Sequence, residues 1–298
     1  MTASERLRAA GRLGENVALG PLTSFRLGGP ARYLVTIDAE QDLRDAFEIA
    51  TREGLSVLPL GRGSNILVAD AGFPGMVLQA GSGLSHRSIG EETVAGAAVP
   101  LPLLARDAAR AGRGGVEFYT GIPGSVGGAI RMNAGCHGSE TSDVLISVRV
   151  FDLETSTVGD RPAADLDLAY RHSNLCDLDF VLEARFATVK RPVAEAEAII
   201  RDVARWRRQH QPGGTFNAGS VFKNPESEPA GRIIDRLGLK GLESGAVRVS
   251  RRHANFFEAG EGATARDVRS LVLEVQRRVR DETGIDLEPE IRFVGDFS

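Results

Sequence analysis

No stretch of this 298-residue chain stays apolar for long enough to cross a bilayer as a helix. Residues 1–16, MTASERLRAAGRLGEN, lack the apolar segment of a secretory signal, so a cytoplasmic location is expected. Cysteine is scarce. Cys136 and Cys176 lie far apart with no C-x-x-C pair, which excludes a disulfide framework and a thiolate zinc site. Five histidines are scattered without ligand spacing, so no metal is expected. An excess of basic charge is also absent: 36 Lys and Arg stand against 40 Asp and Glu, a net charge of -4, which argues against a nucleic-acid or membrane partner. The run Arg205-Trp206-Arg207-Arg208 is the local exception, readable as a phosphate contact or as a solvated helix face. No internal repeat is evident, and nothing marks an obligate protein partner.

What the chain has in quantity is glycine, 35 residues, gathered into "GRGSN", "GSG", "GRGG", "GIPGSVGG" and "NAGCHG". Glycine permits positive φ and lets a backbone approach a ligand closely. Apolar residues interleave the clusters, which points to ordered loops rather than low-complexity sequence.

Periodicity supplies a coarse element order. "YLVTI" (33–37), "LSVLPL", "ILVA", "GMVLQ" and "TVAGAAV" read as strands, and "AEQDLRDAFEIATREG" as a helix stopping at Gly54. "LPLLARDAARAG" is a short helix, while "DVLISVRVFD" and "FVLEARFATVK" look like paired strands of one sheet. Near Lys190 the texture changes. Helices are expected in "RPVAEAEAIIRDVARWRRQH", "EPAGRIIDRLG" and "ATARDVRSLVLEVQRRVRDETG", with strands in "GAVRVS", "NFFEA" and "LEPEIRFVG". That order predicts a C-terminal α+β or α/β unit with its own core, and a boundary near residue 190.

The glycines fit two nucleotide motifs badly. A Walker loop needs a Gly-Lys pair, and there is none. "GRGSN" (61–65) runs straight into a strand, so the Rossmann fingerprint fails. What survives is a tight turn between strands. There Gly61 and Gly63 free backbone N–H groups, and Ser64 and Asn65 add donors for an anion, unless the turn is only a turn. "YTGIPGSVGGAIRMNAGCHG" (119–138) offers either a helix start suited to a diphosphate or a tight glycine packing contact. Taken alone, Ser220 in "AGSVFKNP" is a turn hydroxyl, Arg171 a surface or ion-pair arginine, and Glu290 an exposed carboxylate.

Eight segments, in order, carry a resemblance over essentially the whole chain: "TSFRLGGPA" (23–31), "LGRGSNILV" (60–68), "TGIPGSVGGAIRMNAGCHG" (120–138), "AYRHS" (169–173), "RRQHQP" (207–212), "AGSVFKNP" (218–225), "VSRRHANFF" (249–257) and "LEPEIRFVG" (287–295). Together they resemble the UDP-N-acetylenolpyruvoylglucosamine reductase family, also called UDP-N-acetylmuramate dehydrogenase. The resemblance implies an α+β fold: a two-subdomain FAD-binding module of the vanillyl-alcohol-oxidase (PCMH) type over 1–190, split at about 80, then an α+β substrate-binding domain over 191–298. It implies an NADPH-dependent flavoenzyme that reduces an enolpyruvyl nucleotide sugar to UDP-N-acetylmuramate for peptidoglycan.

By the same resemblance Gly61, Arg62, Gly63, Ser64 and Asn65 approach the FAD diphosphate. Ile122, Pro123, Gly124, Ser125, Gly127 and Gly128 line the flavin, with Arg131, Asn133, Ala134 and Gly135 nearby. "GRGSN" contains no His for covalent attachment, so FAD is expected to bind non-covalently. Ser220 matches the proton donor to C2, Arg171 the guanidinium on the substrate carboxylate, and Glu290 a protonated carboxyl on the enolic oxygen. Asn224 and Arg292 match substrate contacts, Arg207 a phosphate contact, and Lys223 a group that restores the Ser220 proton. Departures are few: Leu22 stands where a His is common. All three Tyr (33, 119 and 170) precede the substrate domain, which resembles the branch lacking a Tyr-bearing substrate loop. The rival readings are an alcohol- or sugar-oxidising flavoprotein of the same fold and a non-catalytic nucleotide-binding protein.

Overall fold

The computed structural model describes residues 1–297. The chain forms two compact units. The first comprises Met1–Asn16, Arg32–Arg62 and Gly75–Arg207, and the second Val17–Ala31, Gly63–Pro74 and Arg208–Ser298. This division differs from a single cut near 190, because two N-terminal segments belong with the C-terminal third. No described helix is long and apolar enough to cross a membrane.

Within the first unit, a five-stranded antiparallel sheet runs in the order Thr157–Pro162, Leu145–Asp152, Asp179–Ala187, Glu92–Gly96, Arg87–Ser88. Val150 pairs with Val181 and Phe151 with Phe180. Successive strand residues point to opposite faces, and both faces are buried here. Val148, Val150, Val181, Ala184 and Phe186 enter one core with the helices Leu101–Arg110 and Val126–Arg131. Phe151, Leu153, Phe180 and Leu182 enter another. That second core is completed by Leu43, Ala46 and Ile49 of the helix Glu40–Glu53 and by Val35, Ile37, Met76 and Leu78. The last four lie on strands of a four-stranded sheet ordered Leu13–Ala18, Pro30–Ile37, Phe73–Ala80, Val57–Leu60. Two-sided burial accounts for the consecutive apolar residues Val150-Phe151 and Phe180-Val181-Leu182, while Arg149 and Arg185 lie exposed.

The second unit has its own core. Helix Ala265–Thr283 contributes Val268, Leu271, Val272, Val275 and Val279, and helix Ala230–Arg236 contributes Ile233 and Ile234. Phe25 and Leu67, from the N-terminal segments, are fully buried in the same cluster. The long helix starts where its sequence dictates. Thr264 and Asp267 form a reciprocal capping box, and Asp70 accepts from the Ala265 and Arg266 N–H groups at 2.8 and 3.0 Å. Gly284, at φ +71°, closes it. Arg292–Val294 pairs in parallel with Ile66–Val68, so Phe293 faces Leu67 in register.

Candidate active site

The turn at 61–65 connects strand Val57–Leu60 to strand Ile66–Val68, which belong to different sheets, and the unit division falls inside it, between Arg62 and Gly63. On the first side, a Cβ added at Gly61 would lie 2.5 Å from Ser125 Oγ and 4.0 Å from the Gly128 N. Gly61, Ser125 and Gly128 thus converge. Gly127 does something else. Its N–H donates to the Ala97 carbonyl at 3.0 Å, and an added Cβ would meet the Ala97 methyl at 3.2 Å, so it is a packing glycine. The packing reading of the cluster thus holds at Gly127. Arg62 is exposed.

Ser125 Oγ is buried, and no described residue gives it a hydrogen bond; the same is true of Thr120 Oγ1. A buried hydroxyl left unpaired costs on the order of 1–3 kcal/mol. Ser125, wedged where two glycines keep side chains away, fits a ligand rich in acceptor oxygens, as the diphosphate of FAD is. The residues present therefore fit that cofactor.

Downstream, the expected flavin neighbours turn out to hold a loop. Asn133 is fully buried at φ +37°; its Nδ2 donates to the Ala169 carbonyl at 3.0 Å and its Oδ1 accepts from Ser142 N at 2.9 Å. Arg131 pairs with Asp177 at 3.0 Å, and its carbonyl accepts from Ser173 Oγ at 2.8 Å. Ala134 N donates to the Ala129 carbonyl at 2.8 Å. The segment so anchored contains the tight turn Ala169 to His172, with Arg171 at φ +55°. Arg171 Nη2 donates to the Gly135 carbonyl at 3.1 Å, and its guanidinium stacks 4.8 Å from the Tyr170 ring centroid. Left-handed backbone at arginine costs of order 1 kcal/mol and persists where surrounding contacts enforce it.

Beside Gly135, the Cys136 thiol donates to the Phe118 carbonyl at 3.1 Å. Burial pushes its pKa up to about 11, while Arg207 and Arg171 pull it back less strongly. Burial also draws the Arg207 guanidinium and the His137 imidazole below their usual values, the latter helped by Arg207. His137 sits edge-on to Trp206, ring centroids 4.9 Å apart. An ordinary thiol ionises near 8.5, so the fold holds the Cys136 proton more tightly than the unfolded chain does. Stability is expected to fall as pH rises from about 8.5 towards about 11. Alkylation at pH 8 should label the exposed Cys176 first, with Cys136 following only at strongly alkaline pH; equal rates would contradict this.

In the second unit, residues 220–223 form a strand-like segment held on two sides. Ser220 bridges Phe256, and Val221 N donates to the Asn255 carbonyl at 2.8 Å. The buried Asn255 side chain pairs with both the N–H and the carbonyl of Phe222, at 2.9 and 2.8 Å, as a neighbouring strand would. On the other side Lys223 N donates to the Glu288 carbonyl at 2.8 Å and Glu290 N to the Val221 carbonyl at 2.7 Å. Ser220 and Glu290 therefore stand on adjacent segments. Glu290 is fixed again through its own carbonyl, which accepts from Asn65 Nδ2 at 3.0 Å. Asn65 thus spends its amide N–H on that strand. Its carbonyl accepts from Arg292 N at 3.0 Å.

Turn chemistry at this segment belongs to Asn217, whose Oδ1 accepts from Gly219 N at 3.1 Å, and not to the Ser220 hydroxyl. Lys223 pairs with Glu288 at 2.7 Å, and Asn224 Oδ1 accepts from Ala230 N at 3.0 Å at the start of a helix. Gly63, at φ +59°, is locked by Ser24 N, which donates to its carbonyl at 2.9 Å; Ser64 beside it is half-buried. Nothing in the sequence marks Asn255 or Asn133 as the clamps they are, since one buried amide at long sequence separation has no period or motif. Among the described residues no three His, Cys, Asp or Glu side chains converge to hold a metal ion.

Residues 31–159 match the family described as FAD binding domain, which makes the chain an FAD-binding flavoprotein, a class that the buried hydroxyl between glycines fits. Residues 211–294 match the C-terminal domain of UDP-N-acetylenolpyruvoylglucosamine reductase. The protein of that name from Methylorubrum extorquens (strain PA1) is 43% identical over 96% of this chain and 92% of its own. The one from Synechococcus sp. (strain JA-3-3Ab) is 38% identical over 99% and 95%. The crystal structure of the Thermus caldophilus reductase superposes with a TM-score of 0.82 at 36% identity, over 94% of this chain and 98% of that one. The chain belongs to the UDP-N-acetylenolpyruvoylglucosamine reductase family, whose members are oxidoreductases with an FAD-binding domain. Its fold is the α+β type expected from the sequence, with an FAD-binding domain, as in the Thermus caldophilus reductase.

Proposed function

We propose that this chain reduces the enolpyruvyl ether of UDP-N-acetylglucosamine-enolpyruvate to UDP-N-acetylmuramate, at the expense of NADPH, in cytoplasmic peptidoglycan precursor synthesis. The observation that carries the reading is the 2.7 Å hydrogen bond from Glu290 N to the Val221 carbonyl, which sets a hydroxyl and a carboxyl on neighbouring segments. Residues 1–190 hold FAD non-covalently, with Gly61 to Asn65 and Ile122 to Gly128 around it, and 191–298 hold the substrate. Held by these residues, FAD would supply hydride chemistry, passing hydride taken from NADPH through N5 to C3 of the enolpyruvyl group.

The chain's own residues manage the charge that follows. Arg171, oriented by Gly135 and Tyr170, grips the substrate carboxylate with its planar fork. As C3 gains hydride, negative charge at C2 spreads into that carboxylate as an enolate. Glu290, in its carboxylic acid form, donates a hydrogen bond to the enolic oxygen. Ser220 Oγ then gives its proton to C2. A hydroxyl is a weak acid, yet a carboxylate enolate is basic enough to take the proton. Lys223 helps restore the proton to Ser220; Asn224 and Arg292 contact the substrate, and Arg207 a phosphate.

An anaerobic spectrum tests the proposal in two steps. NADPH is expected to bleach the flavin band, and the enolpyruvyl nucleotide alone to restore it. Bleaching by an alcohol or hydroxy acid instead would install the oxidase reading.

A further inference from the structure

Two buried side-chain hydroxyls lack a hydrogen-bond partner among the described residues, and they lie on one segment, at Thr120 and Ser125. Ser125 sits against Gly61 and Gly128. Thr120 opens the matching segment 120–138 but has no role assigned by it, and its neighbours say which end of a ligand it meets. Gly121, immediately after it, packs so closely on Cys136 that an added Cβ would lie 2.5 Å from Sγ. Cys136 follows Gly135, whose carbonyl holds the Arg171 guanidinium at 3.1 Å. Thr120 is thus on the side of the segment nearest the arginine assigned to the substrate carboxylate, and Ser125 on the side nearest the glycine turn.

Five residues of chain reach at most about 17 Å, and the bent Ile122-Pro123-Gly124 link spans less. In FAD the diphosphate is joined to the isoalloxazine ring by a five-carbon ribityl chain, well within that reach. We infer that the Thr120 hydroxyl is a hydrogen-bond donor to the isoalloxazine ring, the ring-end counterpart of Ser125 at the diphosphate. The inference rests on the flavin reading given above. The ring offers carbonyl oxygens and ring nitrogens as acceptors, and a donor there stabilises the negative charge that the ring carries when reduced. Removing it should lower the ring's midpoint potential as well as its affinity.

The test compares Thr120→Val, which keeps shape and loses the hydroxyl, with Thr120→Ser, which keeps the hydroxyl. FAD dissociation from each holoprotein is followed by flavin fluorescence, and the midpoint potential of bound FAD is measured alongside. The valine variant is expected to bind FAD about tenfold more weakly, at a lower potential. The serine variant should stay within about twofold of the unaltered chain. Unchanged affinity and potential in the valine variant would overturn the inference, as would an equal loss in both variants, which would assign the methyl a packing role. A valine variant that loses only nucleotide-sugar affinity would also overturn it. If the unaltered chain retained no FAD, the flavin reading itself would fall.

Discussion

Ser220→Ala is expected to leave the bleaching of bound FAD by NADPH intact while product formation falls by about 10²–10⁴-fold, the usual worth of a positioned proton donor. On the proposed mechanism the two halves separate, because hydride transfer from NADPH would not involve Ser220 whereas protonation at C2 would. The substitution should not disturb the fold. Ser220 is half-buried, its position is set by the backbone bridge to Phe256, and alanine adopts the same extended geometry. The packing beneath it comes from Val221 and Phe222, both fully buried and untouched. Anaerobic stopped-flow absorbance, followed by product analysis, reads both halves in one sample. Loss of both together would mean that Ser220 supports the site rather than serving the proton.

Gly63→Ala should be the most damaging change to stability in the Gly-rich turn. Gly63 stands at φ +59°, and an added Cβ would run into the Leu22 carbonyl oxygen and approach Thr23 Cα to 2.9 Å. Both obstacles are backbone. Neither side can retreat, because Ser24 N donates to the Gly63 carbonyl at 2.9 Å and holds the two segments together. Left-handed strain together with the clash makes a loss on the order of 3 kcal/mol, or a fall in Tm on the order of 5–10 °C. Thermal unfolding monitored by circular dichroism checks it. At Gly61 the obstacle is the Ser125 hydroxyl, the far end of a small side chain, so Gly61→Ala should act on FAD retention more than on folding. A Gly63→Ala chain melting with the unaltered protein would contradict the backbone reading.

Much of this architecture is legible in the residues. Helix Ala265–Thr283 is legible from its apolar spacing, and the structure adds its ends: a Thr264–Asp267 capping box and a left-handed Gly284. The strands 145–152 and 179–187 pair as expected, and their consecutive apolar residues Val150-Phe151 and Phe180-Val181-Leu182 are buried on both faces. Strand Thr157–Pro162 is invisible for the opposite reason: it is a mostly exposed edge in which no apolar alternation is required. Phe25 and Leu67 look like parts of the N-terminal region, yet they fill the core of the second unit. Periodicity reports local geometry and carries no information about such distant partners. At the proposed site, Ser220, Arg171 and Glu290 are named only by the motifs' resemblance, while the amides that hold their segments, Asn255, Asn133 and Asn65, act through contacts that only the folded chain reveals.

The most direct test of the central claim is a crystal structure of the chain with FAD and the enolpyruvyl nucleotide bound. Ser220 Oγ should lie within proton-transfer reach of C2, with the Arg171 guanidinium on the carboxylate and the Glu290 carboxyl on the enolic oxygen. A complex in which any of the three side chains points away from the enolpyruvyl group would contradict the account.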